Sequence, residues 1–181
     1  MKFFAVAWYT FRMSVTILEI VQNISIEGWV VSMSGLLVAF FSCIVFWQDP
    51  AKRSNKSFLF FGLVVALWGV TFAFFTGTVG TPAIHNTLSM LYFVAGLVPF
   101  SLFLFLYDFS IKGSSFSFWK FVALLIPYLG LAVALAVPDF ITGYDETLDG
   151  GLGGRVFGKG YPIYVFYVLV FITAGIIVLI K

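Results

Sequence analysis

Residues 63–75 read LVVALWGVTFAFF and contain no charged side chain. Apolar residues follow one another so closely that every face of this segment is apolar. A transmembrane β-strand would instead alternate apolar and polar residues over about ten positions. The pattern therefore predicts a helix in an apolar environment, and a helix satisfies its backbone hydrogen bonds within one segment, as lipid requires.

The same apolar character recurs along the chain. Four segments are long enough to cross ~30 Å of hydrocarbon with about 20 residues each, and a fifth is nearly as clear. The five predicted spans are 28–47, 57–76, 87–109, 118–137 and 162–180. No ionised side chain lies in their central parts, since Asp108 and Lys120 lie near ends. We therefore predict an all-α integral membrane protein, a polytopic helical bundle.

Composition also indicates that the chain is surrounded by lipid, and it excludes several functions. Hydrophobic residues make up 61% of the chain and charged residues 10%, against about 45–50% and about 25% in globular domains. The net charge of +2 is small and the basic residues are clustered, so nucleic-acid binding is not expected. The single cysteine, Cys43, excludes a disulfide framework and a cysteine metal site within one chain.

The orientation follows from the stretch WQDPAKRSNKSFLFF, residues 47–61, because cations of short loops stay on the cytoplasmic side. The basic residues that fall on this side of the predicted bundle are Lys52, Arg53, Lys56, Lys112, Lys120 and Lys181. The alternate gap 77–86 has no Lys or Arg, and in 138–161 two cations face four acids. We predict a multi-pass protein of the cell membrane with residue 28 outside and residue 181 inside.

Residues 1–27 are treated as a separate N-terminal segment, and residues 28–181 as the bundle. In residues 3–21 the polar side chains Tyr9, Arg12, Thr16 and Glu19 recur at steps of three, four and three, which places them on one stripe of a helix. Such a helix either lies in the membrane interface or spans with its stripe against the bundle.

Pro99 and Pro127 fall inside predicted spans, where proline removes a backbone hydrogen bond and is expected to kink the helix. Ordinary kinking is the simpler interpretation, because proline is common in membrane helices. A gating hinge at either proline is the alternative.

No residue is assigned a catalytic role. GGRVFGKG, residues 153–160, has the spacing of a phosphate-binding loop, but Gly160 replaces the required Ser or Thr and the segment is predicted outside. Ion-coupled transporters usually place Asp, Glu, Arg or His within their spans, and the middles of the five predicted spans contain none of these residues. We therefore expect no enzyme activity, no cofactor and no metal.

The connection 138–161 is the candidate site for a ligand. Its 24 residues exceed the ~2–8 that helix connections in bundles need, and loops beyond about 12–15 residues tend to be functional or disordered. The candidate ligand-binding residues are Tyr144, Asp145, Glu146, Asp149, Arg155 and Tyr161. We hypothesise that the acidic half forms a lid, with Arg155 or Lys159 pairing to Asp145 or Glu146 in one of two states. A solvated loop without a ligand is the alternative.

Three stretches resemble a known family. DPAKRSNKSFLFFGLVVALWG, with Asn55, Phe58 and Trp68, resembles a loop and helix of the N-terminal seven-transmembrane region of bacterial and archaeal sensor histidine kinases. MLYFVAGLVPFSLFLFLYDFS, with Pro99 near its middle and the aromatic-acidic pair Tyr107 and Asp108 close to its end, is similar to that family's third helix. GKGYPIYVFYVLVFITAGIIVLIK is similar to its fifth. The resemblance covers about residues 28–181, or five of seven helices.

This resemblance implies a membrane-embedded sensing module, the truncated or split input region of a sensor histidine kinase, in a bacterial or archaeal membrane. Its partners would be the lipid bilayer, a small-molecule or membrane signal, a cytoplasmic kinase or other output domain, and in a homodimer a second copy. Two alternatives stay open: a facilitative carrier for an uncharged solute, and a non-catalytic membrane scaffold. A carrier would be expected to show an internal repeat, and none is evident.

Overall fold

The computed structural model describes residues 17–79, 83–110, 118–135, 137, 142–144 and 155–180. Within these ranges the chain is a bundle of helices: α1 (Ile26–Gln48), α2 (Arg53–Gly77), α3 (Ile84–Ser110), α4 (Phe118–Leu135) and α5 (Tyr161–Ile180). Residues 17–22 are also helical. Between α4 and α5, β1 (Thr142–Tyr144) pairs antiparallel with β2 (Arg155–Phe157), a short ribbon that the sequence does not predict.

The five predicted spans are confirmed as helices, and each predicted end lies within four residues of an observed one. Four of the helices are long and apolar enough to cross a membrane, with mean hydropathies of 2.1 to 2.8, and α4 contributes a shorter apolar stretch. The outward side chains of α1 and α5 are large and apolar, including Trp29, Phe41 and Phe166. Such surfaces suit contact with lipid tails.

Helices α1 and α2 pack together through small residues. In α1 the buried small residues are Gly28, Ser32, Gly35 and Ser42, and in α2 they include Gly62, Ala66, Gly69, Ala73 and Thr76. Both sets repeat at steps of three, four and seven, so each forms one stripe along its helix. Lipid tails are as apolar as leucine, so close backbone approach rather than hydrophobic burial holds such helices together.

The approach leaves no room for a side chain at the centre of this interface. A Cβ added to Gly35 would lie 2.9 Å from the Val65 carbonyl oxygen, and one added to Gly69 would lie 2.9 Å from the Val31 carbonyl oxygen. The obstructing atoms are backbone atoms of the opposite helix. They cannot rotate away, so these glycines set the distance between α1 and α2.

Aromatic residues fill the second interface, among α3, α4 and α5. Its buried members are Phe100, Phe103, Tyr128, Leu131, Leu135, Tyr164, Tyr167 and Phe171. Phe100 has ring neighbours on both other helices, with its ring centroid 5.8 Å from Phe121 on α4 and 5.8 Å from Phe171 on α5. Helix α3 also packs along α2, so it is the central element of the bundle. Both prolines lie inside helices as predicted, with Pro99 buried in α3.

Candidate functional site

The ribbon brings together two residues that the sequence singled out. Tyr144 of β1 is the register partner of Arg155 of β2, although they are eleven residues apart in the chain. β1 also lies against α3, so the ribbon is placed beside the central helix. Asp145, Glu146 and Asp149 lie outside the described residues.

Tyr161, the remaining candidate, begins α5 and links the ribbon to the bundle. Its ring centroid lies 4.2 Å from that of Phe157 at the end of β2 and 6.4 Å from that of Tyr92 on α3. Tyr92 in turn contacts Tyr164, one turn further along α5, with centroids 5.2 Å apart in an edge-to-face arrangement. A continuous group of aromatic rings therefore runs from the ribbon into the bundle.

Two tyrosine hydroxyls attach the neighbouring helices to α3. The Tyr128 hydroxyl of α4 donates to the Phe93 carbonyl oxygen at 3.2 Å, and the Tyr167 hydroxyl of α5 donates to the Gly96 carbonyl oxygen at 3.0 Å. Both acceptors lie in the turns just before Pro99. Proline cannot donate to the carbonyl four residues earlier, here that of Ala95, which lies between the two acceptors in sequence. Phe93 and Gly96 accept the tyrosine hydroxyls because a carbonyl oxygen has two lone pairs and can take a side-chain donor in addition to a helical N–H.

Sequence reasoning identified Pro99 but missed the two tyrosines that bond to the α3 backbone just before it. Tyr164 and Tyr167 are three residues apart on α5, which places them on one face of that helix. This spacing is a usable signal that the face is turned inward. It does not show that Tyr167 contacts α3.

The opposite end of the bundle carries the clustered cations; we call it the basic end. Arg53 Nε lies 2.8 Å from Asp108 Oδ1, and the Ser57 hydroxyl donates to Asp108 Oδ2. The Asp108 side chain is only 8% exposed, whereas that of Arg53 is 47% exposed. This pair joins the first turn of α2 to the last turns of α3, as expected if both helix ends lie at one membrane face.

The turn between α1 and α2 is fixed by side chains within it. Asn55 Nδ2 donates to the carbonyl oxygens of Val45 and Asp49, each at 3.0 Å. Asp49 Oδ1 accepts from the backbone N–H groups of Ala51 and Lys52, at 3.1 and 3.2 Å. The conformation of this turn is thus stabilised by hydrogen bonds from its own side chains.

The remaining predicted orientation residues are placed only in part. Lys52 and Lys56 lie at the basic end, and Lys120 lies in the first turn of α4. Lys112 and Lys181 fall outside the described residues. Across the described ranges, no group of three or more His, Cys, Asp or Glu side chains could hold a metal ion.

Comparison with known proteins identifies the family. No curated protein and no solved structure matches the chain. The family model of the N-terminal 7TM region of histidine kinase matches residues 30–181. This range contains nearly all of α1 and the whole of α2 to α5, with the ribbon and the basic end. The chain therefore belongs to the family of N-terminal 7TM regions of histidine kinases.

Proposed function

We propose that the chain receives a signal at the ribbon and passes a helix movement along α3 to the basic end, where a histidine kinase output domain responds. Family membership makes the chain a membrane signal-sensing input region. Its output would be a kinase domain on the cytoplasmic face of a bacterial or archaeal cell membrane.

The observation that carries this proposal is the hydrogen bond from Tyr167 to the Gly96 carbonyl oxygen, just before Pro99. A signal can move an equilibrium only through different affinities for two arrangements. The two arrangements proposed here differ in whether this bond is made. The Tyr161 ring at the start of α5 contacts Phe157 of the ribbon and Tyr92 of α3. A ligand on the ribbon can therefore favour one arrangement.

Tyr167→Phe tests the role of this bond. Its hydroxyl contributes about 0.5–1.5 kcal/mol to the arrangement that it stabilises, so its loss should shift the balance about two- to tenfold. The measurement is autophosphorylation, without added signal, of a fusion of residues 1–181 to the remaining helices and kinase of a family member.

Tyr164→Phe is the matched control, since it removes a hydroxyl from the same face of the same helix. The Tyr164 ring packs among aromatic neighbours and should keep those contacts as phenylalanine. We expect its autophosphorylation to stay within twofold of the parent fusion. Equal effects of both substitutions would contradict the proposal.

The proposed signal-receiving surface consists of Tyr144, Asp145, Glu146, Asp149, Arg155 and Tyr161. Support comes from the pairing of Tyr144 with Arg155 and from the contact of Tyr161 with Tyr92. Replacing residues 143–159 in the same fusion with a Gly/Ser linker of equal length should abolish the response while autophosphorylation persists. A full response would show that the ribbon only connects α4 to α5 and does not receive the signal.

Cysteine labelling tests the predicted orientation of the chain in the membrane. Ala51 in the α1–α2 turn and Ala83 before α3 are exposed, so a cysteine at either position can be labelled. In a Cys43→Ala background, Ala83→Cys should react with a membrane-impermeant thiol reagent in intact cells. Ala51→Cys should react only after permeabilisation, because its turn carries the cations. The reverse labelling pattern would overturn the orientation.

A further inference from the structure

A cleft of about 490 Å³ opens at the basic end between α2, α3 and α4. Its polar rim includes Arg53, Lys56 and Asp108, and its apolar wall consists of Phe60, Leu104 and Phe121. The polar and apolar parts of the cleft thus lie next to each other on adjoining helix turns. A molecule with a polar head and an apolar tail could contact both parts at once.

The rim carries a surplus positive charge. Asp108 is engaged by Arg53 and by Ser57, so its negative charge is already matched. Lys56 is exposed and forms no ion pair with any of the residues that the structure describes. The rim therefore has one cation beyond what its own carboxylate balances.

The depth of the cleft fits a lipid better than a soluble anion. Arg53 and Lys56 lie in the first turn of α2, and the helix is apolar from Phe58 onward. The cations are thus at headgroup level, while the Phe60 side chain, 41% exposed, lies one turn further into the hydrocarbon. Basic pockets between spanning helices attract anionic headgroups.

We propose that this cleft binds an anionic phospholipid. Lys56 contacts the headgroup phosphate, and one acyl chain lies against Phe60, Leu104 and Phe121. This inference is independent of the signalling proposal. The bound lipid would rest directly on the Arg53–Asp108 pair that joins α2 to α3.

Native mass spectrometry of the purified chain in nonionic detergent tests this site. Phosphatidylglycerol and phosphatidylcholine with identical acyl chains serve as the anionic and zwitterionic probes. Lys56→Gln should weaken phosphatidylglycerol binding about fivefold and leave phosphatidylcholine binding unchanged, because one cation near a headgroup contributes a factor of that size. Lys52→Gln is the control, since Lys52 lines a separate cleft beside Asp49. Its effect should stay within twofold.

Three outcomes would overturn the proposal. Equal losses in Lys52→Gln and Lys56→Gln would mean that general surface charge attracts the lipid. Unchanged binding in Lys56→Gln would place the lipid elsewhere. Displacement of phosphatidylglycerol by millimolar inorganic phosphate would identify a soluble-anion site. Equal melting temperatures of the two variants ensure that binding is compared between folded proteins.

Discussion

Gly35→Ala is expected to lower the free energy of unfolding by about 1–3 kcal/mol, the usual cost of forcing extra volume into a packed interface. The new methyl group would lie 2.9 Å from the Val65 carbonyl oxygen and 3.1 Å from Ala66 Cα. Since both are backbone atoms, relief requires α1 to move away from α2 along the whole stripe. Gly69→Ala should act similarly, because its added methyl meets the Val31 carbonyl oxygen. Reversible unfolding in mixed micelles measures the change.

Gly130→Ala is the matched control, with the same chemical change in another helix. A Cβ at Gly130 has no heavy atom within 4 Å, so the substitution meets open space. Alanine is the better helix former, by up to about 1 kcal/mol per residue. Gly130→Ala should therefore be neutral or stabilising. If Gly35→Ala and Gly130→Ala had the same sign, close backbone contact would not be what holds α1 to α2.

The glycine stripes show how far a sequence can go for such a protein. Hydropathy predicts the spans because each one satisfies its own backbone and needs only apolar side chains against lipid. The sequence also contains steps of seven residues between Gly28, Gly35 and Ser42, and between Gly62, Gly69 and Thr76, although they were not used to predict helix packing. They indicate that each helix has a close-packing stripe, and the short turn between α1 and α2 makes those helices neighbours. The pairing of these two stripes was thus within reach of pattern reasoning.

The tyrosine contacts could not be predicted from sequence patterns. Whether the Tyr167 hydroxyl reaches the Gly96 carbonyl oxygen depends on the rotation of α5 and on its height beside α3. Apart from the tyrosine spacing, which suggests an inward face, α5 is apolar on every side, so its sequence does not fix its exact rotation or its height. The ribbon was missed for a related reason, because its strands have three residues each and lie in a glycine-rich connection. Strands so short have no readable alternation.

Asp108 was noticed in the sequence only as a charge near a helix end, and its partner could not be inferred. Both members of the pair stand at the unfavourable ends of their helices, since Arg53 begins α2 and Asp108 lies in the last turn of α3. A cation is disfavoured at the positive N-terminus of a helix and an anion at its negative C-terminus. The ion pair offsets both penalties at once. It should therefore matter more than an ordinary surface pair.

Arg53→Gln is expected to destabilise the protein by about 1–3 kcal/mol, because it leaves a largely buried carboxylate whose remaining partner among the described residues is the Ser57 hydroxyl. A fully buried pair would cost more on losing one member, but Arg53 is 47% exposed and water screens part of the interaction. Asp108→Asn in the Arg53→Gln background should cost little further, since the unpaired charge is then gone.

The double-mutant cycle of Arg53→Gln and Asp108→Asn isolates the interaction between the two side chains. Its coupling free energy should reach about 1 kcal/mol or more in micelles at low salt. The cycle of Lys52→Gln and Asp108→Asn, with a cation from the same turn, should give less than about 0.5 kcal/mol. Coupling equally small in both cycles would show that Asp108 responds only to the general positive charge of this end. The junction of α2 and α3 would then depend on packing, and the Arg53–Asp108 ion pair would not oppose a movement of α3 relative to α2.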